Sequence, residues 1–300
     1  MALVTRRNLV LGAATAGAAG LGVVGDAFAI EPGFLLESRH YRVTPPGWPD
    51  KLRLRIGVIA DIHAADPWIS LPRVRAIVDA TMAMAPDVIV ILGDFVCTHR
   101  WVTAYVRPED WADELAKLGA PFGVYAILGN HDWWSAAIPT DPPDNSASVR
   151  RAIARARIRL LENDALRLSK DGSPFWLLGL GDQLAHWKRG RGFVGVDDLP
   201  KTLREVHDDA PAILLAHEPR IFEAVPDRVA LTLAGHTHGG QVNLPFVTQW
   251  LIEGPRDLDF IYGHYRRGSR DLIVSGGLGT SHLPVRFLRP PEVLAVDVGA

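Results

Sequence analysis

From Leu52 onward, short apolar runs alternate with longer segments whose apolar residues recur at helical spacing. LRLRIGVIAD (52–61) starts with strict alternation and then turns wholly apolar, as a strand does on entering a core. LPRVRAIVDATMAMAP (71–86) carries apolar residues at helical spacing, with Pro72 near its start and Pro86 closing it. DVIVILGD (87–94) is a short run rich in β-branched residues and predicts a buried strand. RPEDWADELAKLGA (107–120) is an amphipathic helix pattern, with acids in the first turn and Lys117 and Gly119 at the end. GVYAILGNHD (123–132) returns to a strand pattern. Strands and helices in this order predict an α/β core.

The second half is richer in strands. SASVRRAIARARI (146–158) predicts a helix opened by a serine cap, and DDLPKTLREVHDDA (197–210) predicts another helix. ALRLSKDGSPFWLLGLGD (165–182) reads as two strands joined at Lys170-Asp171-Gly172. PAILLAHEP (211–219), VALTLAGHTH (229–238), DLIVSGGLGT (271–280) and VLAVDV (293–298) read as strands. Pro-rich TPPGWPD (44–50) and PTDPPDNS (139–146) are loops, the second either a flap beside a site or a plain surface turn. There is no internal repeat.

The N-terminus follows a different pattern. TRRNLVLGAATAGAAGLGVVGDAFA (5–29) pairs Arg6 with Arg7, runs apolar from Leu9 to Val24 and ends in Ala27-Phe28-Ala29, small residues spaced as a cleavage site needs. It resembles a twin-arginine export signal. The run is short and rich in Gly and Ala for a membrane anchor, the other reading. The expected organisation is a signal over 1–29, a lead-in over 30–51 and one domain over 52–300. The expected location is periplasmic or otherwise outside the cytoplasm.

Composition changes this picture little. Hydrophobic residues make up 48% and charged residues 22%, ordinary values for a globular chain. A formal charge of −2 lacks the basic surplus of a nucleic-acid binder, so no nucleic-acid partner is expected. The single cysteine, Cys97, allows neither an intramolecular disulfide nor a thiolate metal cluster, and reads as a small buried apolar residue.

The chemistry lies where the strands end. Asp61-Ile62-His63, Gly93-Asp94, Gly129-Asn130-His131-Asp132, His217 and Gly235-His236-Thr237-His238 each close a strand pattern. In open α/β sheets ligands gather at the carboxyl ends of strands. Alone, each piece reads as a turn or a packed histidine. Together they deliver carboxylate, amide and imidazole donors to one rim. Such donors suit two divalent ions of the Mn, Fe or Zn type, whereas Mg prefers all-oxygen sets. Residues i and i+2 of an extended segment share a side, so Asp61 and His63 can grip one ion, and His236 and His238 can reach the same pocket. Asp94 has two oxygens with which to bridge. The glycines before Asp94, Asn130 and His236 suit sharp turns.

These motifs, with Gly239-Gly240-Gln241 and the tail SGGLGTSHLPVRFLRPPEVLAVDV (275–298), resemble the calcineurin-like metallophosphoesterase superfamily, and within it a branch of exported or membrane-associated bacterial phosphodiesterases. The resemblance spans roughly 52–298. It implies a four-layer αββα sandwich with a dimetal site at one edge. It implies that Asp61, His63 and His238 hold one ion, that Asn130, His217 and His236 hold the other, and that Asp94 bridges. It gives His131 a role at the phosphate or the leaving group, with Asp132 orienting the His131 ring. The implied reaction is hydrolysis by a water bridging the two ions, acting as hydroxide. No Ser, Cys or spare carboxylate is placed as a covalent nucleophile.

The implied substrates are phosphodiesters or pyrophosphates, including lipid-linked envelope compounds of the UDP-diacylglucosamine type, with peripheral membrane contact. A phosphomonoesterase and a non-catalytic phospho-ligand-binding module are the alternatives. Trp133, Trp134 and the segment AHWKRGRGF (185–193) mix aromatic and basic residues near this rim. They suit a nucleotide base, a lipid headgroup or simply a solvated loop. His40, His99, His186, His207, His264 and His282 read as surface or core histidines, and Arg286 and Arg289 as structural.

Overall fold

The structure is a computed structural model that describes residues 21–134, 146–244, 246, 248 and 259–300. Residues 139–145 of the second Pro-rich loop and residues 1–20 of the expected signal lie outside the described residues. Two six-stranded sheets dominate. Numbering strands along the chain, the first contains β1 (Glu37–Val43), β2 (Leu54–Ile59), β4 (Val88–Leu92), β6 (Val124–Ile127), β7 (Arg159–Leu160) and β16 (Glu292–Val298), in the spatial order β1-β16-β2-β4-β6-β7. The second contains β8 (Asp164–Lys170), β9 (Ser173–Gly179), β12 (Ala212–Leu215), β13 (Val229–Ala234), β14 (Gly263–Arg267) and β15 (Arg270–Val274), in the order β14-β15-β13-β12-β9-β8. Two short ribbons join β3 (Ala65–Asp66) to β5 (Ala104–Tyr105), and β10 (His186–Lys188) to β11 (Gly192–Val194).

The apolar runs explain the layering. In β4, Val88, Val90 and Leu92 face the second sheet, while Ile89 and Ile91 face the helices Leu71–Ala83, Pro108–Leu115 and Ser146–Arg155. In β12, Ile213 and Leu215 meet the first sheet, and Ala212 and Leu214 pack toward Leu199 and Phe222 on the other side. Strands buried on both faces need apolar residues at every position, which is why these runs show no alternation. The result is the expected helix–sheet–sheet–helix sandwich. In the hairpin of β8 and β9, the turn falls at Asp171 and Gly172 as expected, both with positive φ.

Several expectations need correction. The stretch 30–51 is part of the fold, because β1 lies parallel to β16 and Trp48 is buried. The strand of 123–132 stops at Ile127, and Asn130–Trp134 form a short helix. The helix expected over 197–210 spans only Leu199–Arg204; Asp198 caps it by accepting from the Lys201 N–H at 2.9 Å. Residues 21–34 are helical and dock on the domain. The Ala27 carbonyl accepts from the Arg286 N–H at 2.9 Å, and buried Glu31 accepts from the backbone N–H groups of Leu288 and Arg289. Among the described residues no helix is long and apolar enough to cross a membrane.

Candidate metal centre

β2, β4 and β6 run parallel in the first sheet, and β12 and β13 run parallel in the second. Their carboxyl ends face one another across the sandwich. Each strand is followed within a few residues by a polar side chain that the next turn of backbone throws inward. The turns are tight: Asp61, His63, Asp94, His236 and His238 all have positive φ, between 45° and 70°. Such conformations in non-glycine residues persist only where the surroundings hold them, and they cluster at functional sites.

The glycines before the ligands act in two ways. Gly93 has φ 89° and supplies the expected sharp turn. Gly129 and Gly235 have no such angle and instead leave room: a Cβ on Gly129 would lie 2.4 Å from Asp94 Oδ1, and one on Gly235 would lie 2.7 Å from Asp61 Oδ2.

All seven expected ligands come together. Donor atoms of Asp61, His63, Asp94 and His238 lie within 4.8 Å of one another, as do those of Asp94, His217 and His236. Asp94 belongs to both groups. Asn130 Oδ1 joins the second, 3.0 Å from His217 Nε2 and 3.0 Å from His236 Nδ1.

The hydrogen bonds behind these residues set their tautomers. Nδ1 of His63 faces the Val96 carbonyl at 3.0 Å, and Nδ1 of His238 faces the Gly279 carbonyl at 3.2 Å. A carbonyl only accepts, so each Nδ1 carries the proton and each Nε2 presents a lone pair. Those two Nε2 atoms lie 3.1 Å apart. Burial lowers the affinity of both rings for a second proton, so no proton resolves the clash. Asp61 Oδ2 is also buried without a hydrogen-bond partner, and Asp94 Oδ2 has imidazole nitrogens of His217 and His63 beside it, at 3.1 and 3.4 Å. Lone pairs and an orphaned carboxylate oxygen aimed at one space are the signature of a cation site, and donor type and spacing both fit a divalent pair.

His217 shows the same demand in another way. Its Nδ1 donates to the Leu92 carbonyl at 2.6 Å, and its Nε2 lies 3.1 Å from Asp94 Oδ2. Burial alone would lower its proton affinity. The Asp94 carboxylate and its bond to the ring outweigh that, with help from Glu218 and Asp61, and raise the imidazole well above its usual range.

His131 is buried beside the cluster, edge-on to His63 with ring centroids 4.8 Å apart. Burial holds its imidazole down at about 3 despite the Asp94 charge. Its Nδ1 meets the Thr98 hydroxyl, which can donate or accept and so follow either protonation state. The expected bond from Asp132 to this ring is absent. Asp132 instead accepts from the backbone N–H groups of Asp94, Phe95 and Gly129, at 2.9, 2.9 and 3.0 Å, and so ties the β4 loop to the β6 loop.

Thr98 and the Asp182–Glu218 pair carry no sequence signal for a role here, and Arg286, read as structural, is so. Arg286 is fully buried, donates to the carbonyls of Gly276, Gly279 and Arg289, and lies 3.3 Å from His238 Nδ1, so it braces a ligand from behind. Asp182 and Glu218 form a buried carboxylate pair next to His217. Burial and the Glu218 charge raise the Asp182 carboxyl well above its usual range.

The sequence profile of the calcineurin-like phosphoesterase family matches residues 54–240, the stretch that carries all seven ligands. An uncharacterised metallophosphoesterase of Bacillus subtilis, YkuE, is 31% identical over 290 residues, 95% of this chain and 91% of that one. An uncharacterised metallophosphoesterase of Aquifex aeolicus is 28% identical, over 88% of this chain and 92% of that one. The UDP-2,3-diacylglucosamine pyrophosphatase LpxG of Chlamydia trachomatis is 29% identical, over 86% of this chain and 89% of its own. With the sandwich, the convergent strand ends and the facing lone pairs already described, these matches mean that the chain belongs to the calcineurin-like metallophosphoesterases.

Proposed function

We propose that this chain hydrolyses phosphodiesters or pyrophosphates, with lipid-linked envelope compounds as the leading substrate class. Asp61, His63 and His238 would hold one ion, Asn130, His217 and His236 the other, and Asp94 both. One observation carries the reading: two imidazole nitrogens 3.1 Å apart share a buried pocket with the carboxylates of Asp61 and Asp94, a donor set that suits cations. Once bound, such a divalent pair supplies an acidified water and a positive clamp on the phosphate oxygens.

The remaining work falls to this chain's own residues. Cys97 is unsuited to attack phosphorus, because burial pushes its thiol up to about 12 and keeps it protonated. In this reading water is the nucleophile, and the displacement is direct. His131 lies beside the ligands and offers an imidazole to the phosphate or the departing oxygen, steadied by Thr98. Asp132 holds the two loops that present Asp94 and Asn130, so its contribution is to positioning. Arg286 gives its donors to carbonyls rather than to the pocket. The likeness to LpxG supports a lipid-linked pyrophosphate as the natural ester. The paired Arg6 and Arg7 support export before the enzyme acts.

The test is a comparison of kcat/KM on bis(4-nitrophenyl) phosphate and 4-nitrophenyl phosphate, with protein loaded with Mn, Fe or Zn. The diester should be favoured at least ~10-fold, and bound metal should approach two ions per chain. A preference for the monoester would make the chain a phosphatase instead.

A further inference from the structure

The ribbon of β10 and β11 is fastened to the catalytic helix by aromatic rings. His131 and Trp134 lie 5.2 Å apart between centroids. Trp134 stacks on Phe193 at 4.8 Å with 22° between planes, and Phe193 meets Trp187 at 4.9 Å. Below, Trp134 Nε1 donates to the Leu184 carbonyl at 2.9 Å, and Trp133 packs on His186 at 5.0 Å. The ladder begins buried at His131 and ends in solvent, where Trp187 is 66% exposed and Phe193 46% exposed. Lys188, Arg189 and Arg191 surround that end, all exposed, and none of the three forms an ion pair among the described residues.

We infer that this ribbon seats the catalytic rim on an anionic lipid bilayer. Two exposed aromatic rings flanked by three unpaired cations match the headgroup layer, where amphipathic rings partition and basic side chains meet lipid phosphates. A base held between two rings needs them about 7 Å apart, twice a van der Waals contact, and no step of the ladder leaves that gap, so a base would meet only the outer face of Trp187. The attachment to His131 gives the surface a purpose. An ester carried in a headgroup would arrive at the rim without leaving the membrane plane. This inference rests on the phosphoesterase reading only for what the surface delivers; the docking itself stands on the ribbon.

The test places an environment-sensitive dye on Lys188→Cys in the full chain; native Cys97 is buried and resists labelling. A control dye goes on exposed Lys51→Cys, just before β2 at the opposite edge of the sheet. On phosphatidylglycerol–phosphatidylcholine vesicles the 188 dye should shift to the blue, and the 51 dye should not. Pure phosphatidylcholine should give little shift. Because each cation contributes about 5-fold to binding an anionic surface, Arg189→Glu with Arg191→Glu should weaken the 188 response at least ~25-fold. Hydrolysis of soluble bis(4-nitrophenyl) phosphate should stay within about 2-fold, since neither arginine belongs to the catalytic cluster.

A 188 dye that remains in water on anionic vesicles overturns the inference, whether or not the protein cleaves the soluble diester. So does a 188 dye that answers a short oligothymidylate and not vesicles. Failure to cleave any ester, with the 188 dye shifting as expected, would instead remove the proposed function and leave the docking surface standing.

Discussion

The two edges of the sandwich treat their carboxylates differently. At the edge away from the candidate centre, Arg55 meets Asp297 at 2.6 Å, the Arg55 N–H bonds Asp87 at 2.8 Å, and Lys170 reaches the same Asp87 at 2.7 Å. Each carboxylate there has a partner within the chain. At the carboxyl edge, Asp61 leaves a buried oxygen with none, Asp182 and Glu218 face each other as two buried carboxyls, and five candidate ligand positions hold strained backbone. Leaving a buried carboxylate oxygen unpaired costs several kcal/mol. The same two sheets pair these carboxylates at one end and crowd buried carboxyl and imidazole groups together at the other, an arrangement that suits an arriving ion.

Removing the bridging carboxylate attacks the contrast most directly. Asp94→Ala should cost ~10³-fold or more in turnover and strip bound metal, because both ligand groups lose a member; metal analysis alongside kinetics would check it. His131→Ala should lower kcat by ~10²-fold while metal content stays unchanged, the mark of a residue that serves chemistry and not ion binding. Next comes stability. A chelator should lower the Tm by about 5–10 °C, since ions held at a hundred times their Kd add ~2.7 kcal/mol. Metal-free Asp61→Asn should then melt above the metal-free parent, whereas Asp297→Asn at the paired edge should lower stability. That loss should be about 1 kcal/mol or less, because Arg55 is 41% exposed. If Asp61→Asn and Asp297→Asn moved the melting point in the same direction, the distinction between the edges would fail.

The smallest effect lies away from both edges. Hydrogen bonds from Arg75 and Lys117 pull Glu114 down to about 2 from the usual 4.5. Its contribution is therefore fully present above pH 4.5 and is lost as pH falls toward 2. Urea midpoints at pH 3 and pH 6 should differ less in Glu114→Gln than in the parent, by about 1 kcal/mol or less, since both cations are half exposed.

How much of this was legible in the chain follows from locality. Asp61, His63, Asp94, Asn130, His217, His236 and His238 could be read because each follows an apolar run directly, so the end of the run gives its place in space. The alternation of strands and helices announced an α/β core, but the four layers came from family resemblance. Asp132 was misjudged for a physical reason: it neighbours His131 in sequence, yet consecutive residues on a helical turn point about 100° apart, and its carboxylate turns back to the β4 amides. Thr98 and the Asp182–Glu218 pair are invisible in the sequence because their roles depend on contacts across the fold. The same holds for β1, which pairs with a strand from the far end of the chain.

That last pairing bears on how the molecule is made. β16 lies between β1 and β2 and is synthesised after every other strand of both sheets. Until it emerges from the ribosome, β2 has an open edge and β1 has no neighbour. Completion of the first sheet therefore waits for the last of its strands, leaving the nascent chain in need of protection from sticking to its own kind.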